Sequence, residues 1–199
     1  MRTAFCFDLD GTVTTTEILP CIASELGISD EIALLTRATM DGIISFEASF
    51  RLRYLILSRV EISRIRDIVV EIPTDPAIVA FIQENKNDSF LVTGNLDIWI
   101  EPLLSLCGCR VFSSESFVDD CVPKIKTILN KADAVVDIRA MGYDRIVAVG
   151  DGANDVPMLS TADVSIAFGG VHSPSIAAKN ASNYIIHEGS TLCKMLRAL

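Results

Sequence analysis

Phe5-Cys6-Phe7-Asp8-Leu9-Asp10-Gly11-Thr12-Val13 is an apolar run that ends in two acids and a glycine. From Thr3 to Phe7 the residues alternate little, the pattern of a strand buried on both faces. Carboxylates delivered at the end of such a strand cost several kcal/mol unless a cation or hydrogen bonds compensate them. Asp8 and Asp10 are two residues apart, so on an extended chain their side chains point the same way, about 6–7 Å apart. That spacing suits a shared divalent cation, or one attacking and one proton-handling group around a single substrate. Gly11 permits a tight turn or a positive φ.

The 199 residues are half hydrophobic and 22% charged, enough apolar surface for a folded core and a composition that argues against disorder. The net charge is −9, with no basic run or stripe, which argues against nucleic acid and anionic membranes as partners. A small anionic substrate stays possible, but a phosphate would need a metal ion and a fixed Lys or Arg. The six cysteines include no CxxC pair, and Cys107-Gly108-Cys109 stands alone, so they read as small hydrophobes. Met1-Arg2-Thr3-Ala4-Phe5 has no signal pattern and no apolar run reaches the ~18 residues of a membrane span. A reducing, cytoplasmic location is the expectation.

After the first strand, Glu17–Leu26, Asp30–Met40, Phe46–Leu57 (with Ser45 as N-cap) and Glu61–Glu71 read as helices. From Pro76 onward helix and strand alternate. Helix over 77–85 leads to a strand at Ser89–Val92 ending in Thr93-Gly94-Asn95. A helix over 97–107 containing Pro102 precedes a strand at 110–113, and 117–129 is ambiguous between a hairpin and loose extended chain. Asn130 caps a helix to Met141, Arg145–Val149 is a strand ending in Gly150-Asp151-Gly152-Ala153-Asn154-Asp155, and two further strand–helix units follow. Strands separated by helices predict a doubly wound, Rossmann-like α/β fold with a mainly parallel sheet. Ligands bind beyond the carboxyl ends of such strands.

Asp151 is again an acid at the end of a buried strand, and Asp155 follows one turn later. Two strands therefore bring pairs of acids to one edge, where they would repel without a cation; all-oxygen ligation is the preference of Mg²⁺. Thr93 offers a hydroxyl and Gly94-Asn95 backbone N–H groups. A phosphate-binding lysine has three candidates. Lys124 and Lys126 alternate along an exposed stretch, whereas Lys131 opens a helix whose N-terminus faces the ligand edge, and Lys131 is favoured.

With these motifs in order, the chain resembles the haloacid dehalogenase-like (HAD) phosphatases, and among them the phosphoserine phosphatases. Asp8-Leu9-Asp10-Gly11-Thr12-Val13-Thr14, Thr93-Gly94, Lys131 and Gly150-Asp151-Gly152-Ala153-Asn154-Asp155 match the four superfamily motifs. The resemblance implies a core of residues 1–13 and 74–199 with a helical cap, 14–73, inserted after the first strand. It implies Asp8 as nucleophile, Asp10 as general acid and base, and Thr93, Gly94 and Lys131 on the phosphate. Mg²⁺ would be held by Asp8, the Asp10 carbonyl and Asp151, with Asn154 and Asp155 around that shell. Glu17, Met40-Asp41-Gly42 and Ser45 to Arg53 are similar to the cap pattern, implying Glu17 for a substrate ammonium, Arg53 for its carboxylate, and Met40 and Phe46 as shields. Asn95-Leu96 departs from the glycine and aromatic that usually follow Thr-Gly, placing a side chain beside the leaving group.

The implied activity is Mg²⁺-dependent hydrolysis of a small phosphorylated metabolite through an aspartyl phosphate, with O-phospho-L-serine and hence serine biosynthesis favoured. Transfer of the phosphoryl group to an acceptor such as homoserine is an alternative. A non-catalytic phosphometabolite sensor is disfavoured because Asp8 and Asp10 are both present, and dehalogenation because it needs no Mg²⁺ cluster. His172 and His187 receive no role.

Overall fold

A computed structural model describes residues 1–40, 43–119 and 122–199. Strand β1 (Thr3–Phe7) is followed by helices α1 (Ile18–Leu26), α2 (Ser29–Met40), α3 (Phe46–Leu57) and α4 (Ile62–Val70). Then come α5 (Pro76–Glu84), β2 (Ser89–Leu96), α6 (Asp97–Cys107), β3 (Arg110–Asp119), β4 (Val122–Thr127), α7 (Lys131–Ala140) and β5 (Arg145–Gly150). A 3-10 turn at Ala153–Asp155 runs into α8 (Val156–Thr161), and β6 (Val164–Phe168), α9 (Ile176–Asn180), β7 (Tyr184–Ile186) and α10 (Gly189–Ala198) complete the chain. Asp41 and Gly42, part of the cap pattern, and the Met40 side chain lie outside the described residues.

The strands form one sheet in the order β4-β3-β2-β1-β5-β6-β7, parallel except for the antiparallel β3–β4 ribbon. β1 is central, pairing with β2 and β5 at once; Phe7 lies opposite Leu91 and Val149. This is the doubly wound α/β architecture expected from the alternation of elements. Ala4, Cys6 and Phe7 are wholly buried because both faces of the sheet are covered. One face packs Phe7, Leu91 and Val149 against Ile78, Ile82 and Leu192, and the other packs Cys6, Phe90 and Ala148 against Val135 and Ile138. No described helix is long and apolar enough to cross a membrane.

Side-chain caps fix several helix starts as the residue types predict. Ser45 Oγ accepts from Ala48 N (3.1 Å), Asp75 Oδ1 from Ala77 N (2.9 Å), and Asn130 Oδ1 from Ala132 N (3.1 Å). The ambiguous 117–129 stretch is a hairpin, and β3 runs six residues past the expected end at Ser113. Its far half reads as polar because one face is solvated, with Lys124 paired to Asp119 and Lys126 to Glu115. Pro123 is tolerated in β4 because this is the edge strand. Helix α3 reaches this ribbon through Tyr54 Oη, which donates to the Pro123 carbonyl at 2.5 Å, and α4 reaches α6 through Arg66 Nε to Ile98 O at 3.0 Å.

Candidate active site

Three adjacent strands carry the polar groups to one edge: β2 holds Thr93, β1 is followed by Asp8, and β5 by Asp151. Asp8 N–H donates to Val149 O at 2.9 Å, which prolongs the sheet by one bond and fixes the carboxylate over the β1–β5 seam. Asp8, Asp151 and Asp155 are all buried, and one oxygen from each lies within 4.8 Å of the others. Lys131, the first residue of α7, donates from Nζ to Asp8 Oδ1 and, at 2.5 Å, to Asp155 Oδ1. Of the lysines in play, Lys131 is the one the fold brings to the acids; Lys124 and Lys126 stay on the ribbon.

The hydrogen bonds divide the acids by availability. Asp155 is saturated: Oδ1 takes Lys131, while Oδ2 accepts from Asp151 N (2.9 Å) and Gly152 N (2.8 Å). Asp10 Oδ1 accepts from Ile18 N at 2.7 Å, in the first turn of α1. Gly11 has φ +77, which a side chain would strain, and a Cβ there would lie 3.1 Å from both Asp151 Oδ2 and Glu17 Oε1. Asn154, in contrast, is exposed, and among the described residues its side chain has no hydrogen bond to these acids.

Charge is undercompensated here. Burial, then the Glu17 carboxylate, push Asp10 up to about 8, against the pull of Ile18 N–H and the Asn95 amide. Burial, then Asp8, push Asp151 up to about 8. Burial and then Asp155 hold Asp8 above its ordinary value, with Lys131 drawing it down. Burial would lower Lys131, but Asp155 and Asp8 outweigh it and keep the ammonium charged. Four acids face one lysine with oxygen as the available donor, so the site fits a hard divalent cation such as Mg²⁺.

Thr93 is buried, its Oγ1 accepting from Asn95 N at 3.2 Å and Asn95 Nδ2 at 3.3 Å. Strand β2 continues through Gly94, which is close beneath Phe46: a Cβ at Gly94 would be 3.1 Å from Phe46 Cζ. Arg53 Nη2 donates to Thr36 Oγ1 at 2.9 Å, and among the described residues its buried Nε has no partner. Burial lowers the Arg53 pKa and the Asp10 charge opposes that, so the guanidinium lies within electrostatic reach of Asp10. Glu17 lies within electrostatic reach of Asp10 as well.

One residue without an expected role belongs to this edge. His172 Nε2 is 2.8 Å from Glu17 Oε1 and 3.2 Å from Asp151 Oδ2. The available signal was positional: a histidine in the Gly169–Pro174 loop, directly beyond the carboxyl end of β6.

The family model for haloacid dehalogenase-like hydrolases matches residues 5–160. The phosphoserine phosphatase of Methanocaldococcus jannaschii is 29% identical over 175 residues, 81% of this chain and 83% of that one. The human phosphoserine phosphatase is 27% identical over 202 residues, covering 92% of this chain and 88% of its own. Among solved structures, a substrate-bound phosphoserine phosphatase complex superposes with a TM-score of 0.80 at 26% identity over 100% of this chain and 98% of that one. A HAD family hydrolase from Salmonella enterica serovar Typhi gives 0.84 at 27% identity, covering 96% of this chain and 69% of that one.

Proposed function

The chain belongs to the haloacid dehalogenase-like hydrolase family and is a phosphoric monoester hydrolase, and from that premise we propose that it dephosphorylates O-phospho-L-serine through an aspartyl phosphate on Asp8. The observation that carries this is a pair of opposite charges, Glu17 and Arg53, both within electrostatic reach of Asp10 beside the lysine-held Asp8. An ammonium suits the first and a carboxylate the planar fork of the second, whose buried Nε lacks a partner among the described residues. Resemblance to phosphoserine phosphatases on both sequence and fold supports the same substrate.

In this scheme Lys131 holds Asp8 Oδ1, leaving Oδ2 to attack phosphorus. The Asp8–phosphorus bond forms as the phosphorus–oxygen ester bond breaks, and protonated Asp10 gives its proton to the departing serine oxygen. Its pKa of about 8 keeps that proton available at neutral pH. Water then attacks phosphorus, returns a proton to Asp10 and releases phosphate from Asp8. Thr93 Oγ1, Gly94 N–H and Lys131 hold the phosphoryl oxygens. Asp8, Asp151 and the Asp10 carbonyl would hold Mg²⁺, which supplies neutralising charge between carboxylate and phosphate; Asp155, saturated by Lys131 and two N–H groups, orients Asp151 and its neighbours. Residues 14–73 act as a cap that excludes water, with Phe46 over Gly94, and residues 1–13 and 74–199 are the core. A serine product fits serine biosynthesis, and the free thiols of Cys6, Cys21, Cys107, Cys109 and Cys193 fit the reducing cytoplasm.

Phosphate release is measured over a phosphomonoester panel with Mg²⁺ and with chelator. Asp8→Asn is expected to abolish turnover; undiminished turnover removes Asp8 as nucleophile. Arg53→Ala is expected to cost far more on phosphoserine than on p-nitrophenyl phosphate, and equal losses on the two refute the carboxylate role.

A further inference from the structure

The loop Gly169-Gly170-Val171-His172-Ser173-Pro174 leaves β6 at the sheet edge that carries the acids. It is tied down at its far end, where Ser175 N donates to Asp151 O at 2.9 Å, and Lys179 Nζ donates to Ser173 Oγ at 2.6 Å. His172 is thereby aimed at Glu17 and Asp151. Among the described residues its ring nitrogens meet only acceptors: Ser173 O at 3.2 Å on Nδ1, and Glu17 Oε1 and Asp151 Oδ2 on Nε2. The ring is a donor toward Glu17. Among the described residues Glu17 has no other side-chain partner, so its second oxygen remains open.

We propose that His172 sets the breadth of the substrate range, by competing through its Nε2–H with the substrate's ammonium group for the Glu17 carboxylate. The inference rests on the reading of Glu17 as the ammonium receptor. A carboxylate already engaged by a fixed donor gains less from a second one, and each of its oxygens has limited acceptor capacity. Glu17 alone would discriminate strongly for the α-ammonium; with His172 in place, the pocket accepts carboxylate-bearing phosphomonoesters in which a hydroxyl replaces it. His172 is thus a specificity residue that works through Glu17 and performs no chemistry on phosphorus.

The test compares O-phospho-L-serine with 3-phospho-L-glycerate, which carries a hydroxyl in place of the ammonium at the same configuration. The ratio of their kcat/KM values is measured at saturating Mg²⁺ for the wild type, His172→Ala, His172→Gln and Glu17→Gln. His172 is 47% exposed on its side chain, so the alanine variant keeps the core intact. His172→Ala is expected to raise the ratio about 3- to 10-fold, the size of one hydrogen bond's net contribution, and mainly through a lower KM for phosphoserine. His172→Gln, which keeps an N–H donor, falls between the two. An unchanged or lowered ratio in His172→Ala overturns the proposal, as does an equal change on both substrates, the mark of a merely structural role. Glu17→Gln separates the two levels. A ratio that collapses in Glu17→Gln but stays fixed in His172→Ala sinks the competition while leaving Glu17 as receptor. A ratio fixed in both sinks both.

Discussion

Lys131 neutralises two carboxylates that the fold has placed out of reach of water, and its removal leaves both. Asp8 and Asp155 are each almost wholly buried, so neither can recover hydration without distorting the sheet edge. Lys131→Met is therefore expected to destabilise the metal-free protein by about 3–5 kcal/mol, the usual cost of breaking a buried ion pair from one side. Urea unfolding of the two proteins measures this, and a loss below about 1 kcal/mol, the scale of an exposed pair, would contradict it. Asp8, Asp10, Asp151 and Lys131 were legible because strand ends and a helix start in an alternating fold must meet at one edge. His172 was not, because its partner Glu17 is 155 positions away and no local pattern ties a loop to the start of α1. Asn154 shares a motif with Asp151 and is exposed, its Oδ1 lying over Gly152.

At the scale of elements, the hydrogen bond that fastens the β3–β4 ribbon to α3 among the described residues is the Tyr54 hydroxyl on the Pro123 carbonyl. Removing that donor in Tyr54→Phe costs about 1 kcal/mol, the net value of one hydrogen bond. The loss should be local, because α3 and the ribbon join no other strand of the central sheet through it. Amide exchange in β4 is expected to accelerate while β1 and β5 keep their protection; exchange rising equally in β1 would refute the local picture. The ribbon also explains where the sequence was hardest to read. A solvated antiparallel edge lacks the apolar run that marked β1 and β5, so 117–129 carried no clear periodicity. The end of β2 was hidden for a related reason. Thr93-Gly94-Asn95 has turn-forming residues and does interrupt the pairing register, but Leu96 resumes pairing with Ser114 after this irregularity, so the strand continues beyond the break.

For the molecule as a whole, the uncompensated acids make stability depend on pH and on cations together. Asp10 and Asp151 are raised from the ordinary 3.8 to about 8 by burial first and neighbouring acids next. Between those values the native state keeps protons that the unfolded chain has released, so stability falls as pH rises across that window. His172, raised against the effect of burial chiefly by Glu17, acts in the same sense: its contribution is full below its ordinary value of 6.5 and is lost above the raised one. In the metal-free protein Tm is expected to decline from about pH 4 to about pH 8. Mg²⁺, by binding the ionised native carboxylates, should flatten or reverse that slope. A metal-free Tm that climbs through the window would contradict the assignment.

The bond from Lys131 to Asp8 spans 123 positions of chain. During synthesis, therefore, β1 emerges long before either the lysine that neutralises its acid or β5, the strand that flanks it. The central strand of the finished sheet spends that interval as an apolar segment ending in unmatched charge, unable to close a sheet around itself. Contacts of such sequence separation are slow to form, since the closing loop must be ordered before it is rewarded. The edge that carries the acids therefore cannot be complete until Lys131 and, twenty-four positions later, Asp155 have both been made.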